Sequence, residues 1–599
     1  MITSPTGAVS DELGMVPTLD ELRRLSAAES AALADRVRTF LVSSVSRTGG
    51  HLGANLSSVE LTIALHRVFR SPETTIIWDT GHQSYTHKIL TGRWPEFGTL
   101  RSRHGLSGFP SRAESPHDLL ENSHASVGPA WAYGVVSATR QPVVMVIGDG
   151  ALTGGVAFEG LNAIGHRQAP VIVVVNDNGR SYAATRSRLT YGEPINPERV
   201  PDVDPAAFFR SLGFTSHGPV DGHDIAALDE VLARAERGPL PCVVYVRTQK
   251  GYGLSAALAD ERKRWHDIAP NQVLHAEPGP PQVSAAPPDW STAIGDLLCD
   301  WAAADDRIHA ITAAMPDTLG LTNFATRFPD RYHDLGIAEQ ACVAVAAGLA
   351  SQGKRPIFSI ITTFLARGLD QVLYDVAMHR LPVIFLLDRA GVTGPDGPSH
   401  HGIFDVGLIR NVPGAEIYSP ATLSDVDDVL RDALGRMHGP LFLRYPKGRP
   451  AGPGRPPRGL IRAGGDACLV AHGATVPIAL AAADLLRDRD GIECAVWRVL
   501  RLHPLDPKLV EYASRSPLLI PVEDVAEPGG LAHGLAYAVM QQGHRHVRME
   551  PLTLPADFMP HGGRDDLLSE VGLTTDGLAD FVLKHVSKGH SRVAPEQRS

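Results

Sequence analysis

A chain of 599 residues, 43% apolar and 20% charged, has room for several hydrophobic cores, and at roughly 150 residues per domain it suggests three or four. A formal net charge of −10 leaves no global basic field, so nucleic-acid binding is set aside. Apolar runs such as "PVIVVV" and "PVIFLL" are strand-length, and the N-terminus lacks the pattern of a signal peptide, so no membrane partner and a cytoplasmic location are expected.

Short β-rich apolar runs alternate with longer Ala/Leu-rich stretches along the chain, the pattern of parallel α/β layers. Two proline-rich seams, 277–289 and 447–459, divide it. The expected domains are 1–285, 286–450 and 460–586, with a flexible tail at 587–599. Cys242, Cys299, Cys342, Cys468 and Cys494 lie far apart without paired spacing, which argues against both a disulfide framework and a zinc site.

The first chemistry lies at 146–155, "VIGDGALTGG", which reads as the end of a buried strand, a glycine turn and a helix opening at Ala151. Asp149, between two glycines, is either a helix cap or a ligand at the carboxyl end of a strand. The next strand, "PVIVVVND", ends at Asn176, Asp177 and Asn178. Asp149 and Asn178, with backbone carbonyls and a diphosphate, would satisfy Mg²⁺, while the N–H groups of the helix opening point at the same diphosphate. Two ordinary polar turns remain the alternative for either half; the pair is more specific.

"GDGALTGG" followed by "NDN" matches the diphosphate and Mg²⁺ motif of thiamine diphosphate enzymes. "SVSRTGGHLGANLSSVELTIALHRVF", "WDTGHQSYTHKILTGR", "GLSGFPSRAESPHDLLENSHAS", "GIAEQ", "TTFLARGLDQVLYDV", "DRAGVTGPDGPSHHGIFD" and "RYPKG" make the chain resemble the 1-deoxy-D-xylulose-5-phosphate synthase family over all but its termini. The resemblance implies three doubly wound α/β domains of the transketolase-like type, thiamine diphosphate and Mg²⁺ as cofactors, and a homodimer. It also implies the decarboxylative condensation of pyruvate with D-glyceraldehyde 3-phosphate, the first step of the non-mevalonate isoprenoid pathway.

Site residues follow from the same resemblance. The thiazolium carbon becomes a nucleophile only when a carboxylate against the pyrimidine N1′ drives its imino form, and in "DLGIAEQ" that carboxylate is Glu339. Phe364 corresponds to the aromatic that stacks on the pyrimidine. His82, Ser123, His124, Ala125, Gly150, Ala151, Asn178 and Leu254 occupy cofactor positions, and the implied metal set is Asp149, Asn178 and Arg180. Among 26 histidines, motif context singles out His51, His266 and His400 as active-site groups. Arg101, Arg389, Asp396 and Lys447 fall around the acceptor phosphate.

Several positions depart from the family pattern. Lys447 stands where an arginine is usual, so a bidentate fork becomes a point charge. Ile361 and Leu254 replace tyrosines, although Tyr252 lies two residues before Leu254; Gln340 is not followed by the usual histidine; and the stretch between Asn178 and "GPVDGHD" is short. A second reading therefore stays open: a paralogous acyloin-forming or transketolase-like enzyme of specialised metabolism that uses another aldehyde. A catalytically idle cofactor-binding or regulatory protein would bind the cofactor weakly or lack the glutamate, yet Asp149, Asn178 and Glu339 are all present.

Overall fold

The computed structural model of the chain describes residues 13–121, 123–190, 204–271, 287–436, 438–450, 454, 457–544 and 547–590. These fall into two compact units. The first comprises Met1–Val283 with Ala313–Asp317 and Asp334–Ala338. The second comprises Ser284–Thr312, Thr318–His333 and Glu339–Ser599.

The first unit is built on β1 (Thr75–Asp79), β2 (Val143–Gly148), β3 (Val171–Asp177), β4 (Thr215–Asp221) and β5 (Cys242–Arg247). They pair in parallel in the order β1-β2-β3-β5-β4. The near-continuous apolar runs of β1, β2, β3 and β5 suit strands buried on both faces, whereas β4, at the sheet edge, has no buried residue. Ile77, Met145, Val173 and Val243 enter one apolar layer with helices Gly128–Thr139 and Gly155–Arg167. Ile76, Val144, Val174 and Val244 enter the other with helices Val59–Val68 and Ile225–Arg237. Side chains alternate across the pleat, so helices cover both faces, the doubly wound arrangement expected.

One local expectation is corrected. The helix after β2 opens at Asp149 rather than Ala151, as a single turn Asp149–Leu152, and the long helix begins at Gly155. The break has a packing cause: a Cβ on Gly154 would lie 2.2 Å from Ser126 Oγ, so the backbone passes against that side chain. Asp149 is not a cap, since Gly148 holds the N-cap position without a side-chain bond.

The second unit carries β6 (Ile308–Thr312), β7 (Tyr332–Asp334), β8 (Arg355–Ile361), β9 (Ile384–Asp388), β10 (Glu416–Tyr418) and β11 (Leu441–Arg444). Further along are β12 (Gly459–Arg462), β13 (Ala467–His472), β14 (Cys494–Val499), β15 (Arg501–His503), β16 (Leu519–Ala526) and β17 (Leu552–Leu554). They form a sheet β15-β10-β11-β9-β8-β6-β7 and a sheet β12-β14-β13-β16-β17. β15 pairs antiparallel with β10, with Ile417 opposite His503, so the stretch expected to form a separate domain from 460 lends a strand to the preceding sheet. Arg444, 2% exposed, binds Asp405 at 2.7 Å and Asp524 at 3.0 Å. Both carboxylates are buried, so this cation is paired as a buried charge must be. The helix Thr575–His590 continues through 587–590, where a tail was expected to begin, and 591–599 lie outside the described residues. No helix of the described residues is long and apolar enough to cross a membrane.

Candidate active site

Parallel pairing aligns the strand ends of the first unit: Gly148 lies opposite Asn176 and Asp177 opposite Arg247. Three carboxylates gather along this edge. Asp79, closing β1, accepts the N–H of Ser126 at 2.9 Å and of Gly128 at 2.7 Å, which fixes the chain beside Ser123, His124 and Ala125. Ser126 in turn donates its hydroxyl to Ala151 O at 2.6 Å. Asp149, 1% exposed, accepts the N–H of Asn178 at 3.4 Å and the hydroxyl of Thr185. Burial, and then the neighbouring Asp177 carboxylate, push Asp149 well above the usual carboxylate range. Asp177 accepts Tyr245 OH at 2.6 Å and the N–H of Gly179 at 3.0 Å. The Asn178 side-chain oxygen accepts the N–H of Arg180 at 3.1 Å. The Arg180 guanidinium turns away and donates to Glu261 O at 2.9 Å and Arg262 O at 2.6 Å.

The same unit brings His51, His82 and His266 together. Ring centroids lie 5.4 Å apart for His51 and His82, 5.6 Å for His51 and His266, and 5.0 Å for His82 and His266. Burial holds His82 and His266 well below the usual histidine range, with neighbouring cations and histidines acting the same way. Arg101 runs past Gly108, whose Cβ would lie 3.2 Å from Arg101 Cγ. Its φ of +64° is a left-handed conformation uncommon outside glycine.

Leu254 packs against the apolar cluster around Phe40 and Trp265. Tyr252 does not replace the missing tyrosine there, because its ring stacks on His223 at 3.5 Å with the Arg38 guanidinium 5.0 Å from its centroid.

In the second unit Glu339 begins the helix Glu339–Ser351 and is 4% exposed. Burial raises its carboxyl, opposed by the Arg367 guanidinium 3.5 Å away. Phe364 meets His400 edge to face at 5.5 Å, and Ser399 Oγ lies 3.2 Å from His400 Nδ1. Arg389, at a φ of +62°, donates to Asp388 at 2.7 Å. Lys447, 42% exposed in its side chain, lies 3.5 Å from Asp396. Ile361 is 1% exposed, an apolar wall where a tyrosine hydroxyl is usual in the family.

Sequence reasoning passed over Asp79, Thr185, Tyr182 and Lys250. Asp79 lies inside the quoted "WDTGHQ" and ends β1, so a charged residue at a strand end was its available signal. Lys250 is 1% exposed, which no local pattern announces.

The transketolase pyrimidine-binding domain matches residues 286–451 and the transketolase C-terminal domain residues 459–578. The class is therefore that of transketolase-type thiamine diphosphate enzymes, which transfer a two-carbon unit. The 1-deoxy-D-xylulose-5-phosphate synthase family matches residues 13–190 and 198–248. The chain is 42% identical to 1-deoxy-D-xylulose-5-phosphate synthase 2 of Streptomyces coelicolor, covering 95% of each chain. It is also 42% identical to 1-deoxy-D-xylulose-5-phosphate synthase of Mycobacteroides abscessus, covering 93% of this chain and 94% of that one. The chain belongs to the 1-deoxy-D-xylulose-5-phosphate synthase family.

Proposed function

We propose that the chain condenses pyruvate with D-glyceraldehyde 3-phosphate, releasing CO₂ and giving 1-deoxy-D-xylulose 5-phosphate, with thiamine diphosphate and Mg²⁺ as cofactors. The observation that carries this reading is the adjacency of Asp149 and Asn178 at neighbouring strand ends. Their oxygens, with the Arg180 carbonyl, make a hard donor set of few protein ligands, which suits Mg²⁺ shared with a diphosphate. The two turns also pack together, because a Cβ on Gly150 would meet Ser181 Cβ at 2.9 Å. Residues 1–285 would hold the diphosphate and metal, residues 286–450 the pyrimidine, and the working form would be a homodimer.

Bound thiamine diphosphate supplies a nucleophilic carbon and an electron sink that no side chain provides. Glu339 would exchange a proton at the pyrimidine nitrogen: burial favours its protonated form and Arg367 the ionised form, which brings it nearer the poise an acid–base group needs. Phe364 would bear on the pyrimidine face. His51 and His266 would orient the pyruvate carboxylate, and His400 would serve the reacting carbon. Arg101, Arg389 and Lys447 would bind the acceptor phosphate.

A second reading, the same donor chemistry with another aldehyde, is favoured by the buried apolar Ile361 and by the Asp396 carboxylate beside Lys447. Product analysis with thiamine diphosphate, Mg²⁺ and pyruvate, comparing glyceraldehyde 3-phosphate with glyceraldehyde, separates the two. A preference for the phosphate ester is expected; CO₂ release without deoxyxylulose phosphate would establish the second reading.

A further inference from the structure

Lys250 is a lysine with 1% of its surface exposed. Its ammonium meets the Ser181 carbonyl, and Nζ lies 2.6 Å from Nδ1 of His266. An ammonium carries only donors, so the nitrogen it meets at this distance is a bare lone pair. We propose that Lys250 is a positioning residue: it donates to His266 Nδ1 and fixes that ring as the tautomer whose proton is on Nε2. The proposal rests on the reading of His266 as an active-site group.

The surroundings of His266 leave the ring little other freedom. Tyr182 stacks on it at 3.9 Å and His82 at 5.0 Å, and His51 meets it edge-on at 5.6 Å. The backbone before it is held in a costly shape, with Arg264 and Trp265 at φ of +49° and +50°. Trp265 is buried, and its carbonyl accepts the N–H of Gly53 at 2.7 Å. Left-handed conformations at two bulky residues persist where packing over-determines them. Backbone and stacking thus set the ring plane, and Lys250 decides which nitrogen carries the proton. The Nε2–H left over is a donor only, suited to a carboxylate or carbonyl oxygen and unable to act as a base.

Charge acts in the same direction as the hydrogen bond. The charged and titratable groups facing His266 are Lys250, His82, His51, Lys263 and the Tyr182 phenol, and burial followed by Lys250 leads in disfavouring the imidazolium. Removing the ammonium should therefore free the tautomer and ease protonation.

The test uses full-length protein with ring-nitrogen-labelled histidine and long-range proton–nitrogen correlation spectra, His266 being assigned by its loss in His266→Gln. Wild type is expected to show His266 with Nε2–H only, unchanged from neutral pH to about pH 6. In Lys250→Met the signal should become a tautomer mixture or protonate within that range, and Lys250→Arg should restore it. Turnover of pyruvate should fall about ten- to a hundredfold in Lys250→Met, as when an orienting partner of a histidine is removed, with KM within about threefold. An Nδ1–H or imidazolium in the wild-type spectrum overturns the proposal, even should Lys250→Met fail to fold. An unchanged His266 signal in a folded Lys250→Met overturns it too. Wild type that shows the Nε2–H form but does not turn over pyruvate would refute the functional reading and leave the lysine's role standing.

Discussion

The strand-end edge of the first unit and the cation-bearing loops of the second handle charge in opposite ways. Along the edge, Asp79 and Asp177 are each held by two donors from the surrounding fold, and Asp149 is strongly buried beside Asp177. Burial and Asp177 disfavour the ionised form of Asp149, so a cation placed there would relieve the edge. In the second unit Arg389 and Lys447 already face Asp388 and Asp396 of their own chain. A phosphate bound at these cations, as proposed, would have to compete with those carboxylates. The edge proposed for the cofactor is thus over-determined by its scaffold, while the loops proposed for the acceptor are loosely set, and that is where the departures Ile361 and Lys447 fall.

The largest expected effect comes from breaking the over-determined end. Asp149→Asn should lower turnover below about a hundredth of wild type, the scale of a lost electrostatic contact. It should also abolish the thermal stabilisation that thiamine diphosphate with Mg²⁺ confers, about 2.7 kcal/mol at a hundredfold excess over Kd. Retention of that stabilisation in a melting experiment would remove Asp149 from the metal set. Glu339→Gln should cost about 10²- to 10⁴-fold in pyruvate decarboxylation. The ligand-free melting temperature should hold or rise, because a buried carboxylate is replaced by a neutral group of similar shape. CO₂ release at near wild-type rate would refute the assignment of Glu339.

What could be read ahead of the fold divides along the same line. The Asp149 and Asn178 pair was legible because both lie at the ends of apolar runs whose parallel pairing follows from their two-sided burial. His51, His82 and His266 were legible only through motif resemblance, since no local period connects them. The break between Leu152 and Gly155 was missed because Gly154 packs against Ser126, a neighbour distant in sequence. The strand Arg501–His503 was missed because three residues directly after another strand carry no periodic signal of their own. Lys250 carried no reading in the sequence, because only tertiary packing makes it a buried donor.

A smaller effect sharpens the comparison through pH. His472, fully buried in the second unit, is pushed down to about 4 by burial and then by Arg444. The unfolded chain, with a histidine near 6.5, binds more protons than the native state between these values, so stability falls as pH drops through that window. From 6.5 to about 4, at about 1.4 kcal/mol per unit, the loss is about 3 kcal/mol. In urea titrations across this range, wild type should lose about that much more than His472→Gln. Parallel pH curves would refute the shift.

The smallest effect tests the loosely set end directly. The Lys447 ammonium is 42% exposed in its side chain and 3.5 Å from Asp396, so its pair is worth no more than about 1 kcal/mol. Lys447→Arg exchanges a point charge for a planar fork that grips a phosphate with two parallel bonds. If the native acceptor carries a phosphate here, KM for glyceraldehyde 3-phosphate should fall by up to about fivefold, about 1 kcal/mol of binding. KM for unphosphorylated glyceraldehyde should stay within about twofold, because it has no group for the fork to hold. An equal change for both aldehydes would mean that Lys447 acts through Asp396 and the loop, and the phosphate would have to be sought at Arg101 and Arg389. Those two arginines share a left-handed backbone, with φ of +64° and +62°. Strain of this kind is tolerated where a side chain must be aimed, so these positions would then be the next to change.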